Sequence, residues 1–151
     1  MAGMALVIDA TVEIDAPADI VWRVLTDFDR YGEWNPFVPE CHSTLVPGAP
    51  IDMVVHLGGN TREQREFIST HTPGTEFSYT MKPVPLGTLH SRRSHTVTAL
   101  SPTRTRYESR FTLAGWLSPV VSAALGKHLR AGFGAMTAAV GPRAEKLAAG
   151  E

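Results

Sequence analysis

From Leu6 to Ile14 the chain alternates, with Leu6, Ile8, Ala10, Val12 and Ile14 on one side and Asp9, Thr11 and Glu13 on the other, the pattern of a half-buried strand. Asp15-Ala16-Pro17 then offers a short capping side chain and a proline whose missing N–H is harmless in a first helical turn. Ile20, Val21, Val24 and Leu25 follow at helical spacing and predict a short amphipathic helix. Asp27-Phe28-Asp29-Arg30-Tyr31 reads as a second cap and helical turn, ended by Gly32-Glu33-Trp34-Asn35-Pro36. Breaks at Pro47-Gly48, Gly58-Gly59-Asn60, Pro73-Gly74, Pro83 to Gly87 and Ser101-Pro102 divide the next stretch into strands at 38–46, 51–57, 61–72, 75–82, 89–100 and 103–113. With the first strand they form an antiparallel meander of seven.

The last segment changes period. Ser118 is placed to cap, Pro119 takes the first helical position, and Val121, Leu125, Leu129, Phe133, Met136 and Val140 recur at steps of three or four. Gly126, Gly132 and Gly134 each lower intrinsic helicity by about 1 kcal/mol against alanine, so packing has to hold this helix. Gly141-Pro142 is expected to kink or break it and to leave Arg143 to Ala149 as a separate last turn or two. The order of elements predicts an α+β fold: a curved seven-stranded antiparallel sheet, two short helices after the first strand, and a long C-terminal helix across the concave face. One helix cannot fill such a concavity with its own side chains, and the expectation is a hydrophobic cavity between helix and sheet.

A length of 151 residues suits one domain, expected to span residues 1–151. The 43% hydrophobic and 19% charged residues exclude a disordered chain and a membrane bundle. A formal charge of -1 supplies no global positive field, so nucleic acid is not the expected partner. No apolar run reaches the ~18 residues a membrane helix needs, so no stable membrane insertion is expected. The first residues, Met1 to Leu6, do not read as a signal peptide, and the lone Cys41 cannot form an internal disulfide. A cytoplasmic location is the resulting expectation.

Ile14-Asp15-Ala16-Pro17, then Val21-Trp22, Leu25, Asp27-Phe28, Tyr31, Trp34 and Asn35-Pro36-Phe37, resembles the N-terminal signature of the SRPBCC (START-like, birch-pollen-allergen-like) superfamily, particularly its bacterial polyketide cyclase/dehydrase and lipid-transport members. His95 before Val97, the strand from Thr103 to Phe111, and Gly115-Trp116-Leu117-Ser118-Pro119 leading to Phe133 and Met136 resemble that family's last two strands and closing helix. The resemblance covers nearly the whole chain and implies the helix-grip fold, with a long helix over a hydrophobic ligand tunnel. It is specific for fold and weak for activity, since members include carriers, sensors and cyclases.

Alternation assigns the inward faces. Tyr107, Ser109, Phe111 and Leu113 share a side opposite Arg104, Arg106, Glu108 and Arg110; Phe77, Tyr79 and Met81 oppose Glu76 and Ser78; Met53, Val55 and Leu57 oppose Asp52 and His56. This aromatic and methionine lining, with Leu129, Phe133 and Met136 from the helix, either packs against itself or encloses a flat or flexible apolar ligand. Parity also turns Arg93 and His95 inward, where a charge is expensive unless paired. One reading makes Arg93, His95, Tyr79, Tyr107 and Ser109 a polar cluster holding a ligand's carbonyl or enol oxygen, with His95 moving a proton and Arg93 or a tyrosine stabilising an enolate. The other leaves Arg93 and His95 solvated at the strand end. Trp34 and Asn35 fall at the expected pocket rim, as ligand contacts or as a core plug and a turn residue.

Several signals point nowhere. The six histidines lack paired metal-binding spacing, and His90 and His95 fall on opposite faces of one strand, so no metal is expected. Gly126-Lys127-His128 lacks the rest of a phosphate loop, and Ser118 lacks a nucleophile elbow. Cys41 reads as a small buried or half-buried apolar group, and the charges from Arg62 to Arg65 as a solvated strand face. Two functions stay open. One is a binder of a polyketide-like or lipid-like molecule that cyclises or dehydrates it by acid–base chemistry without a cofactor; the other is a non-catalytic carrier or sensor. A client-binding module is a third reading, which an exposed apolar patch outside the cavity would favour.

Overall fold

A computed structural model describes residues 4–150 of the chain, and the expectation about its first residues rests in part on positions outside that range. The strands are β1 (Met4–Ile14), β2 (Glu40–Ser43), β3 (Pro50–Leu57), β4 (Asn60–Thr72), β5 (Glu76–Thr80), β6 (His90–Ser101) and β7 (Arg104–Ala114). They form one antiparallel sheet in the order β1-β7-β6-β5-β4-β3-β2. Helix α1 (Ala18–Thr26) and a 3-10 turn (Phe28–Glu33) follow β1, and helix α2 (Ser118–Ala148) closes the chain. This is the expected helix-grip architecture.

The register aligns same-face residues in rows across the sheet, buried on β5, β6 and β7 and exposed at Ala10 on the edge strand β1. Ile8, Phe111, Arg93, Tyr79 and Ile68 make one row, and Ala10, Ser109, His95, Phe77 and His71 the row next to it. The second row is covered by an aromatic plug: Phe77 meets Trp22, Phe28, Tyr79 and His95 at centroid distances of 5.9, 6.2, 6.4 and 4.7 Å. The C-terminal half of α2 lies down on this filled part, burying Met136, Thr137, Val140 and Ala144. Two surface ties hold it there: Glu145 Oε2 accepts from the Asp15 backbone N–H at 3.1 Å, and Arg143 donates to Glu33 at 2.7 Å. Gly132 permits a close approach, because a Cβ there would overlap the ring of Phe37.

Several local expectations need correction. Pro142 does not break α2, which runs on to Ala148. The carbonyl it deprives of a partner belongs to exposed Ala138, whereas Val140 and Ala144 on the inner face are fully buried, so tertiary packing outweighs the local defect. Ser118 does not cap α2; its hydroxyl donates backward to the Gly115 carbonyl at 2.6 Å. Asp15 does not cap α1 either, because Arg104 takes its carboxylate at 2.6 Å and Pro17 stands at the cap position. The strand expected over 38–46 shrinks to Glu40–Ser43, since Pro39 lacks an N–H and Leu45 is left-handed at φ 61°. The strand expected over 75–82 stops at Thr80, ahead of the prolines at 83 and 85. Ser78 keeps its outward parity but is buried, under Arg92 and Thr70, which reach its hydroxyl at 3.1 and 2.6 Å.

Candidate functional site

Where the aromatic plug ends, the concavity is hollow. The N-terminal half of α2 presents Val121, Leu125 and Leu129 half-buried rather than packed, and behind them lies a cavity of about 540 Å³. That is the size range of a small-molecule site. Its apolar wall is Phe37, Val38, Met53, Val55, Leu57, Met81, Leu89, Phe111, Leu113 and Phe133 together with those three residues of α2. Its polar groups are Gln64, Glu66, Tyr79, Ser91 and Arg93, with Arg62, Glu63, Arg65 and Lys82 at the β4 and β5 rim. Clefts of about 500 and 530 Å³ at the β2–β3 edge are bordered largely by polar and charged side chains such as His42 and Asp52, and lack this apolar wall.

Arg93 governs the cavity's electrostatics. It is 2% exposed, and no carboxylate among the described residues lies within ion-pair distance of it. Its Nη1 donates to Ser109 Oγ at 2.5 Å, its Nη2 reaches the Met136 sulfur at 3.7 Å, and its Nε finds no protein partner. A neutral hydroxyl, a thioether and an aromatic face leave a buried cation short of the anion it needs. Glu66 is the carboxyl nearest in function. It is 8% exposed, and among the described residues its carboxylate accepts one side-chain hydrogen bond, from Gln64 Nε2 at 2.5 Å. Burial raises its pKa above the ordinary carboxyl range, while the Gln64 hydrogen bond and the Arg93 charge oppose the rise. Burial likewise pushes the Tyr79 phenol up, so Tyr79 is a neutral donor at the wall.

His95 lies behind this wall in the plugged row, and Tyr107 in the row beyond it, opposite Val12 and Val97. His95 Nδ1 and Tyr107 Oη are 2.6 Å apart, with the rings stacked at 5.9 Å. Burial, aided by the Arg93 charge, drives the His95 pKa well below its ordinary value, and burial raises that of Tyr107, so both are neutral. Of the residues singled out from the sequence, Tyr79, Arg93, Met53, Val55, Met81, Phe111, Leu129 and Phe133 line the cavity. His95, Tyr107, Ser109, Phe77, Met136, Trp34 and Asn35 are not among its lining residues. Ser109 and Met136 touch Arg93 from behind. Asn35 Oδ1 accepts from the Phe37 and Val38 N–H groups at 3.0 and 2.9 Å and shapes the turn into the cavity wall, while Trp34 packs edge-on against Tyr31 at 5.2 Å.

Sequence reasoning missed Glu66 and Gln64. Both share the parity of buried Ile68 on β4, which was the available signal. Cys41 is buried as expected, and burial pushes its thiol up to about 12, which makes it unreactive. No three His, Cys, Asp or Glu side chains gather as a metal site among the described residues.

The fold has well-populated relatives. An aromatase/cyclase, Zhui, from Streptomyces sp. R1128 superposes with a TM-score of 0.76 at 19% identity, covering 95% of each chain. A START superfamily protein from Mycobacterium smegmatis gives 0.71 at 18% identity over 96% of this chain and 99% of that one. A norcoclaurine synthase of Thalictrum flavum gives 0.68 at 15% identity over 97% of both. At these identities the likeness establishes the fold alone. Comparison with curated protein sequences found no match. Residues 5–141 match the family described as polyketide cyclase / dehydrase and lipid transport, and with nearly the whole chain inside that match and the helix-grip fold around it, the chain belongs to this family.

Proposed function

We propose that the protein binds an amphiphilic small molecule, polyketide-like or lipid-like, with a carbonyl, enol or carboxylate oxygen at Arg93 and an apolar body along Met53, Val55, Leu57, Leu125 and Leu129. The observation that carries this reading is Arg93: a buried guanidinium at a cavity wall, with no carboxylate partner and an unused Nε. A ligand oxygen supplies what the protein withholds, and the apolar wall supplies the contact area. Family membership supports a ligand-holding role.

Glu66 favours a catalytic version of the same reading. A carbonyl polarised by Arg93 has an acidified adjacent C–H. Glu66, its basicity raised by burial, can take that proton and leave an enolate paired with Arg93. The same carboxyl, once protonated, can return the proton to a leaving hydroxyl in a dehydration. In this version His95 and Tyr107 are positioning residues that hold the β6 and β7 backbones behind Arg93. Without that step the cavity describes a carrier.

Native mass spectrometry of freshly purified protein tests the binding claim, alongside thermal shifts with fatty acids and aromatic polyketides. Bound mass, or a melting rise that Arg93→Gln reduces at least about tenfold in apparent affinity, supports it. Absence of both bound mass and any shift, or shifts equal in Arg93→Gln, overturns it.

A further inference from the structure

The apolar surface of this protein is not confined to the cavity. Leu86 is 90% exposed, Val120 62% and Trp116 61%. They stand together by construction. Leu86 sits in a left-handed conformation (φ 61°) in the loop between β5 and β6, and its carbonyl accepts from Trp116 Nε1 at 3.0 Å. The backbone N–H groups of Trp116 and Leu117 donate to Gly87 and Thr88 at 3.2 and 3.0 Å, strapping that loop to the start of α2. Gly115 permits the strap, since a Cβ there would stand 2.5 Å from the Thr88 oxygen. An exposed leucine in a strained conformation, held out by hydrogen bonds, is not a side chain waiting to fold inward.

The outer face of α2 continues the pattern. Pro119, Val120, Ala123 and Ala124 are exposed, although Val121 and Leu125 already supply the inner face, so these first turns carry apolar side chains on both faces, with Ser122 half-buried between them. The same outer stripe then becomes cationic at exposed Lys127 and Arg130, and exposed Lys82 stands at the other end of the loop. No aspartate or glutamate occurs between Glu76 and Glu108 or between Glu108 and Glu145, so no acid within these two segments offsets the three cations. In space, acids of β2, β3 and β4 do reach Lys82, which shares a cleft with Glu40, Asp52 and Glu63, whereas Lys127 and Arg130 join no ion pair among the described residues.

We infer that the end of the molecule carrying Leu86, Trp116 and Val120 docks reversibly on an anionic bilayer surface, with those side chains in the interface and Lys127 and Arg130 against headgroup phosphates. A small projecting apolar tip bordered by basic residues with long stems is the arrangement of an interfacial binder, and it needs no spanning segment. No helix among the described residues is long and apolar enough to cross a membrane, so the docking is peripheral. Half-buried Leu89, Val121 and Leu125 adjoin this face and line the cavity, whose exposed rim lies at Arg62, Glu63, Arg65 and Lys82.

The experiment is cosedimentation of the full chain with phosphatidylcholine vesicles, with and without phosphatidylglycerol, at low and high salt, with tryptophan emission recorded in parallel. Binding is expected only with phosphatidylglycerol, weakened by salt and accompanied by a blue shift from Trp116. Leu86→Asp, at a position that packs against nothing and whose backbone suits aspartate, is expected to lose it. Lys127→Glu with Arg130→Glu is expected to weaken it about tenfold or more. Arg93→Gln leaves vesicle binding intact, which separates this inference from the proposed function of the cavity. Absence of binding to anionic vesicles, binding indifferent to lipid charge, or binding unchanged in Leu86→Asp would each overturn it. So would a concentration-dependent dimer abolished by Leu86→Asp, which would make a second copy the occupant.

Discussion

The guanidinium carbon of Arg93 lies 4.4 Å from the centroid of the Phe133 ring, so a single cation–π contact ties β6 to α2 and forms the floor of the cavity. That contact, one hydroxyl and one sulfur are weak compensation for burying a charge. Arg93→Met fills much the same space without the charge. It is expected to leave stability within about 1 kcal/mol of the parent, or to raise it, while removing ligand-induced stabilisation. Urea denaturation with and without ligand reads both. A loss of several kcal/mol in the unliganded variant would mean the arginine serves the fold and not a guest.

The glycines of α2 offer a test of where the helix touches the sheet side and where it stands clear. A Cβ at Gly132 would run into Phe37, whereas Gly134 has nothing within 4 Å of its Cβ position. Gly132→Ala is expected to destabilise by about 1–3 kcal/mol through overpacking, and Gly134→Ala to stabilise by about 1 kcal/mol through helix propensity. Equal effects at the two positions would show that α2 is not seated on Phe37.

These glycines also mark how far the sequence could be read. The strand runs and their inward faces follow from a period of two, a local property, and Tyr79, Arg93 and Phe111 came with them. Glu66 carries the same signal, in step with Ile68, but the charges at Arg62, Glu63 and Arg65 mask it by reading as one solvated face. The location of the hollow was not legible. It depends on Phe28 and Phe77 meeting across some fifty residues of chain, and on Phe37 under Gly132, which are contacts between elements. The uninterrupted helix through Pro142 is of the same kind, a local rule overruled by burial of Val140 and Ala144.

His95 gives the fold an acid-sensitive element. Its folded pKa lies well below the 6.5 of the free side chain, so the unfolded chain binds the proton more readily. Its contribution is fully present above about pH 6.5 and declines as pH falls, by up to about 1.4 kcal/mol per unit until the folded pKa is reached. Melting temperature should therefore fall between pH 7 and pH 5 in the parent and fall less in His95→Gln, which cannot take up the proton (window set by the unfolded value near 6.5). Parallel curves for the two proteins would place the acid sensitivity elsewhere.

Glu66→Gln separates the catalytic version of the proposal from the carrier. Glu66 has its pKa raised by burial, so the folded state holds its proton more tightly than the unfolded chain does. Its contribution to stability is present below the ordinary carboxyl pKa of 4.5 and lost as pH rises through the folded value. An amide ends that loss while keeping the shape and one acceptor for Gln64, so Glu66→Gln should gain stability over the parent as pH rises and keep the cavity's volume. Ligand binding should persist, because Arg93 and the apolar wall are untouched. Proton exchange at the carbon beside the ligand's carbonyl, followed by deuterium uptake from solvent, should drop by about 10²-fold or more if Glu66 is the base. Exchange at the parent rate in the amide variant would remove Glu66 from the chemistry. If parent and variant both bind without exchange, the cavity is a carrier's.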